Sequence, residues 1–310
     1  MIKYQALRGK LSARLAANAL VVLALFSASL WGASGVSANH PVLVEGNCLN
    51  PPAGNPTVPV AGTCGDYDGD GRIGTAEDMD GDRVFGTITV ALNNAATGAN
   101  QNGSVLIVTS GVFAEVVNIT AANGNVTLAA APGVDADIDA VLQGDPGSAG
   151  RQNAPGIVVN APIDRFVTIR NITSRNWTEG IRVTGDSSVL IDNCRIENNI
   201  NFGIRVQDNA RVEINNTTVA ATGYRVSAAG DFPRTATPNP GNGIDFGSSS
   251  SGLVSQSLVT GCFGDGISGK SKRNSSNVDL KDVNLFNNNR GGRGDKDDDM
   301  WSGSAGNNIK

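Results

Sequence analysis

The chain has 310 residues, 40% of them hydrophobic but only 5% aromatic, and it contains 39 glycines. That composition excludes a core built on large aromatic side chains and favours one of Val, Ile, Leu and stacked small residues. A net charge of −5 excludes a general nucleic-acid binder, whose affinity rests on a basic surface.

Lys3, Arg8, Lys10 and Arg14 precede an apolar run over 16–30, and Val36, Ser37 and Ala38 form a small-residue cleavage pattern. Residues 1–38 therefore read as a secretory signal. The run is short for a membrane anchor and is interrupted by Asn18 and Ser27, so no membrane span is expected after cleavage. Removal takes four bases and no acid, leaving 20 bases against 29 acids and a net charge of −9. The expected location is secreted or in the cell envelope. There, Cys48 and Cys64 are expected to pair as a disulfide, whereas Cys194 reads as a small buried hydrophobe.

Residues 39–65 hold five prolines without helical or strand period and read as a linker. An acidic region over 66–85 follows. Asp66, Asp68 and Asp70 stand at positions 1, 3 and 5 of a twelve-residue loop, Gly71 at 6 and Glu77 at 12, with the carbonyl of Arg72 at 7. Carboxylates at this spacing can wrap one hard cation, glycine permits the sharp turn, and a final glutamate can bind through both oxygens. These twelve residues resemble EF-hand and dockerin loops, which implies Ca2+ as the cofactor. The Pro-rich segment ahead of Asp66 cannot be an entering helix, so a structural calcium clip is expected, not a helix-opening sensor. Asp78, Asp80 and Asp82 continue the acidic run, but Arg83 stands where a second loop would need glycine.

Residues 87–93 read as a short helix, followed by strand patterns at 105–109, 116–120 and 126–128. Further on, the chain repeats. Gly180-Ile181-Arg182-Val183 and Gly203-Ile204-Arg205-Val206 are near-copies, with looser ones starting at Gly156, Gly243 and Gly266. The starts are 24, 23, 40 and 23 residues apart, one period interrupted once by 17 extra residues. Such a period means a solenoid. The strands starting at Val167, Val189, Val212 and Val278 fall in register, each with Ile or Leu two residues on. Ile172, Cys194, Thr217 and Val283 then share an inward column. Asn176, Asn198 and Asn287 are expected to stack as an amide ladder. The extra residues, roughly 224–242, must be an excursion from the coil. The charged, glycine-rich tail over 291–310 is expected to be disordered.

A capping helix, a β-rich entry and these repeats together resemble the pectin-lyase-like right-handed β-helix superfamily over roughly 86–290. The expected fold is all-β, a right-handed parallel β-helix with a short N-terminal capping helix. The superfamily includes pectate lyases, pectin methylesterases and polygalacturonases. Their chemistry implies calcium-binding acids with an arginine base, or paired carboxylates. No acid cluster is visible on the repeat face, and the one histidine, His40, lies outside the repeats.

Stacking places Arg182 and Arg205 in one outward column about 4.8 Å apart, with Asp245 one coil on. Two partners suit these adjacent cations: the turn acids Asp186 and Asp208, or an acidic sugar in a groove walled by the excursion. The expected role is non-catalytic, a rigid face for an acidic polysaccharide or a cell-surface protein, with Arg182, Arg205 and Asp245 as ligand-binding residues. A calcium-dependent uronate lyase of the pectate-lyase type is the alternative. A purely structural spacer follows if the arginine column is paired internally.

Overall fold

Val and Ile at every second position give each short strand one apolar face, and three such strands per turn of chain close that face around a shared core. The computed structural model describes residues 42–45, 51–69, 73, 76–79, 84–95, 103–140, 154–162, 164–227, 230–233, 241–247, 249–269, 276–288, 300–302 and 308–309. The chain divides into two units, Met1–Ala38 and Asn39–Lys310. The first, on which the signal reading falls, lies outside the described residues.

The described residues of the second unit form three parallel sheets of ten, seven and seven strands, plus a two-stranded antiparallel ribbon. Successive coils supply one strand to each sheet. One coil gives Ser188–Asp192 to the first sheet, Arg195–Glu197 to the second and Phe202–Val206 to the third. Register is kept coil after coil: Val167, Val189 and Val212 align, as do Ile169, Ile191 and Ile214. Ile181, Ile204, Ile244 and Ile267 form another column. All of these are buried. Each fully buried Ile or Val contributes about 2 kcal/mol of apolar burial, so the columns are the main source of cohesion.

One coil escapes the sequence pattern. Ser251–Ser255 lies between the strands of Val212 and Val278, with Gly252 in the valine column. The neighbouring inward residue, Phe246, explains the substitution, because a Cβ on Gly252 would stand 2.8 Å from the Phe246 ring. The large ring occupies the space that the missing side chain leaves.

The corners explain the asparagines. Asn171, Asn193, Asn216, Gln256 and Asp282 at one corner all have φ between 47° and 58°. Asn176, Asn198, Ala221, Gly261 and Asn287 at the next have φ between 50° and 68°. Asn adopts this left-handed conformation at lower cost than most residues. The amide ladder forms at the first corner, not at the expected second one. Asn193 Nδ2 donates to Asn171 Oδ1 at 2.8 Å and Asn216 Nδ2 to Asn193 Oδ1 at 3.0 Å. Ala221 and Gly261 interrupt the second corner, and Asn176 Nδ2 instead donates to Asp139 at 2.7 Å.

The expected capping helix is present as α1, Ile88–Ala95, with Ile88, Ala91, Leu92 and Ala95 buried at i, i+3, i+4 and i+7. Glu115 caps it from the first coil, accepting from the Ile88 and Thr89 amides at 2.7 and 2.8 Å. Two expectations need correction. Val42–Val44, inside the supposed linker, is a strand of the first sheet between Val84–Phe85 and Ser104–Ile107. The supposedly disordered tail adds Met300–Ser302 to the third sheet and Asn308–Ile309 to the first.

The excursion begins with an antiparallel hairpin, Tyr224–Ser227 with Gly230–Pro233. Gly223 and Gly241 meet at its neck, where a Cβ on Gly241 would lie 2.6 Å from the Gly223 Cα. The chain thus leaves and re-enters the coil at one point, which is why the register survives the insertion.

Candidate functional site

In the third sheet Arg182 pairs in register with Arg205, and Arg205 with Asp245, as the spacing predicts. Their shared ion-pair partner is not a turn acid. Glu179, with a side chain only 2% exposed, bridges both: its Oε2 accepts from Arg182 Nε at 2.5 Å and its Oε1 from Arg205 Nη1 at 3.0 Å. The bond from Glu179 raises the pKa of Arg182, against the opposing effect of burial. Arg205 also lies 3.8 Å from Asp245 and stacks over the Phe202 ring at 4.6 Å.

Asp245 is itself buried and accepts from Ser268 Oγ at 2.5 Å. The turn acids have other work. Asp208 accepts from the Thr184 hydroxyl and the Gly185 amide, which lower its pKa, and Asp186 accepts from Asn209. Glu179 is missed from sequence because strand parity assigns it inward, along with Ile181 and Val183. Its charged character in a column otherwise occupied by Pro155, Phe202 and Asn242 is the one available signal.

The second sheet carries a cluster where none is expected. Asp137, Thr173 and Arg195 form one outward column, and Asp139, Arg175 and Glu197 the next. Arg175 is ion-paired to Asp137 and, through Nε, to Asp139 at 2.8 Å, and it lies 4.0 Å from Glu197. Burial pushes the Asp137 carboxyl up to about 7, with Asp139, Asp135 and Glu197 adding to the rise and Arg175 opposing it. Its Oδ1 is shielded and has no hydrogen-bond partner.

The folded protein therefore holds this proton more tightly than the unfolded chain, whose aspartates titrate near 3.9. Between about pH 4 and 7 the native state carries the extra proton, so stability falls as pH rises through that window. Asp137→Asn is expected to flatten this part of the stability–pH curve, recovering on the order of 2 kcal/mol at pH 8. Urea unfolding at pH 5 and pH 8 checks it; an unchanged slope contradicts it.

Beside this cluster, at the corner between the first and second sheets, lies an open groove of about 340 Å3. The 131–134 turn forms one wall, and Asn171, Thr173, Asn193 and Arg195 line it from adjacent coils. Arg195 is 65% exposed, and its Nε donates to Glu197 at 2.6 Å. The amide ladder thus runs along the edge of the groove.

Ahead of the helix, one ligand atom from each of Asp66, Asp68 and Glu77 falls within 4.8 Å of the others. Oxygens bound to one calcium ion at about 2.4 Å lie no more than about 4.8 Å apart, so this donor set fits. Gly69 donates to Asp66 Oδ1 at 2.9 Å, and the Tyr67 and Asp68 amides donate to Glu77 Oε1 at 2.6 and 3.1 Å. An antiparallel bridge between Cys64 and Asp78 closes the loop where an entering helix would otherwise stand. Asp70 and Arg72 lie outside the described residues, as do Cys48 and His40. Cys64 is disulfide-bonded. Cys194 remains a buried thiol whose pKa burial pushes up to about 12, in keeping with a packing role.

Residues 155–294 match the family model described as the right-handed beta helix region. No curated protein matches the chain. Two crystal structures of the pectin methylesterase from Aspergillus niger, one penultimately deglycosylated and one deglycosylated, are similar at 14% identity. Each comparison covers 73% of this chain and 89% of the other, with TM-scores of 0.36 and 0.35. The family match and the coil-by-coil register identify the fold as a right-handed parallel β-helix.

Proposed function

We propose that the chain is an exported, non-catalytic β-helix protein that presents a rigid outer face to a polysaccharide or a cell-surface protein, with a structural calcium ion in its acidic loop. Internal pairing of the arginine column by Glu179 gives that face a structural role, so the observation that carries the binding role is instead the groove on the second-sheet corner. One wall is the 131–134 turn, and the other is built from side chains of successive coils whose spacing the sheet register fixes. Its size lies within the range of small-ligand sites, and it mixes apolar walls with a few hydrogen-bonding groups. Export is supported by the basic-apolar start of the chain and by the disulfide at Cys64, since such bonds persist in oxidising compartments. Among the described residues, no helix is long and apolar enough to cross a membrane.

The lyase alternative needs an arginine whose pKa is lowered enough to accept a proton. Arg182 is held in the opposite direction by Glu179. Incubation with polygalacturonate or alginate and calcium tests this point: no ultraviolet absorbance of unsaturated uronates is expected. Absorbance that disappears in Arg205→Ala establishes the lyase instead. For the binding role, retention on a glycan array is expected, and absence of retention on every glycan and surface extract overturns it.

In the loop, Asp66, Asp68 and Glu77, together with Asp70 and the Arg72 carbonyl, would hold the ion, whose charge would offset their mutual repulsion. Calorimetry is expected to show calcium binding that Asp68→Ala weakens at least tenfold. A titration unchanged by this substitution contradicts the site.

A further inference from the structure

From the groove at the corner of the first and second sheets, we infer that the ligand is an uncharged, hydroxyl-rich glycan and that uronates are excluded. This inference rests on the polysaccharide-binding reading above. A uronate carboxylate is recognised best by a guanidinium with donors to spare and no acid beside it. Arg195, the arginine of the lining, does not meet that condition, and Arg170 and Arg175 on the flanking strands are paired as well. Arg195 is held by Glu197 at 2.6 Å, Arg170 by Asp192 at 2.9 Å, and Arg175 by both Asp137 and Asp139. An incoming carboxylate would have to displace one of these partners or sit beside it.

Beside this paired guanidinium the groove offers matched donors and acceptors. The Asn193 amide gives one N–H to Asn171 and accepts one from Asn216. An amide has a second N–H and a further oxygen lone pair. Arg195 commits its Nε to Glu197 and keeps its terminal N–H groups on an exposed side chain. Sugar hydroxyls donate and accept at once, which suits this mixture. Pro132 and Val134 on the opposite wall supply the apolar surface against which a sugar ring's C–H face packs. A carboxylate drawn to Arg195 would sit beside Glu197, and like charges placed against a site cost affinity and so confer selectivity.

The test uses the signal-free full chain on immobilised cello- and xylo-oligosaccharides, with oligogalacturonate and oligoalginate in parallel. Retention of at least one neutral series with at least tenfold weaker retention of both uronates is expected. Asn193→Gly, which keeps the positive φ open while removing the amide, and Arg195→Gln are each expected to weaken that retention about fivefold or more. Glu197→Gln, which releases the Arg195 charge, is expected to gain uronate retention about fivefold. Because this last variant is read as a gain, loss of folding cannot imitate the result. Wild-type protein that retains uronates as well as or better than neutral sugars overturns the inference while leaving the polysaccharide reading standing. Wild-type protein that retains no glycan overturns both.

Discussion

Gly203→Ala is expected to lower stability by about 3 kcal/mol or more, close to the upper end for added atoms in a packed interior. A Cβ on Gly203 would stand 2.5 Å from Val219 Cγ1 and 2.6 Å from the Gly243 carbonyl oxygen. The methyl of Val219 could turn aside. The carbonyl belongs to the backbone of the next coil, and moving it would disturb the third-sheet ladder. Gly180 and Gly243 are confined in the same way, each with its Cβ position within 2.7 Å of the following coil's carbonyl oxygen. The glycine of the Gly-Ile units is thus a requirement of close approach between coils. Urea denaturation measures the loss. A Gly203→Ala midpoint equal to wild type contradicts this account of the column.

Glu179→Ala is expected to cost about 3 kcal/mol. Removing one partner of a buried ion pair typically costs about 3–5 kcal/mol, and the lower end applies because Arg182 and Arg205 are 33% and 27% exposed. The loss has two parts: two guanidinium groups lose their shared acid, and they repel each other across adjacent strands. The repulsive part is screened by salt, so the deficit should shrink between 0.05 and 1 M sodium chloride, as the Debye length falls from about 14 to 3 Å. The triple variant Glu179→Ala, Arg182→Gln, Arg205→Gln should recover part of it. A deficit independent of salt and unrelieved in the triple variant would mean that Glu179 acts by packing alone.

These two positions also mark how far the sequence could be read. The Gly-Ile units disclosed the period and register because isoleucine, valine and glycine each have one inward or close-contact role that recurs every coil. The Ser251–Ser255 coil was hidden because Phe246 and Gly252 exchange volume, so neither residue matches its column. Glu179 was hidden because parity counts it among the inward residues, yet its carboxylate reaches the outward arginines beside it. The Asp137–Arg175–Glu197 cluster assembles from three coils, and Asp137 precedes the first Gly-Ile unit, so only the register shows these groups to be neighbours. Sequence alone does not tell which corner carries the amide ladder, because both corners demand the left-handed conformation that asparagine tolerates. The 42–44 strand has prolines on both sides and too few residues to show a period. The arginine column, the most conspicuous charged feature of the sequence, proves to be internally ion-paired, whereas the open groove draws on corner asparagines and a turn that carry no charge motif.

That contrast can be measured directly by comparing Arg182→Gln and Arg195→Gln for both unfolding and retention on a neutral oligosaccharide. Arg182→Gln should lower the unfolding midpoint and leave retention per folded molecule unchanged, while Arg195→Gln should weaken retention about fivefold or more at a nearly unchanged midpoint. The reverse pattern, retention lost in Arg182→Gln and kept in Arg195→Gln, would place the binding face on the arginine column and contradict the account.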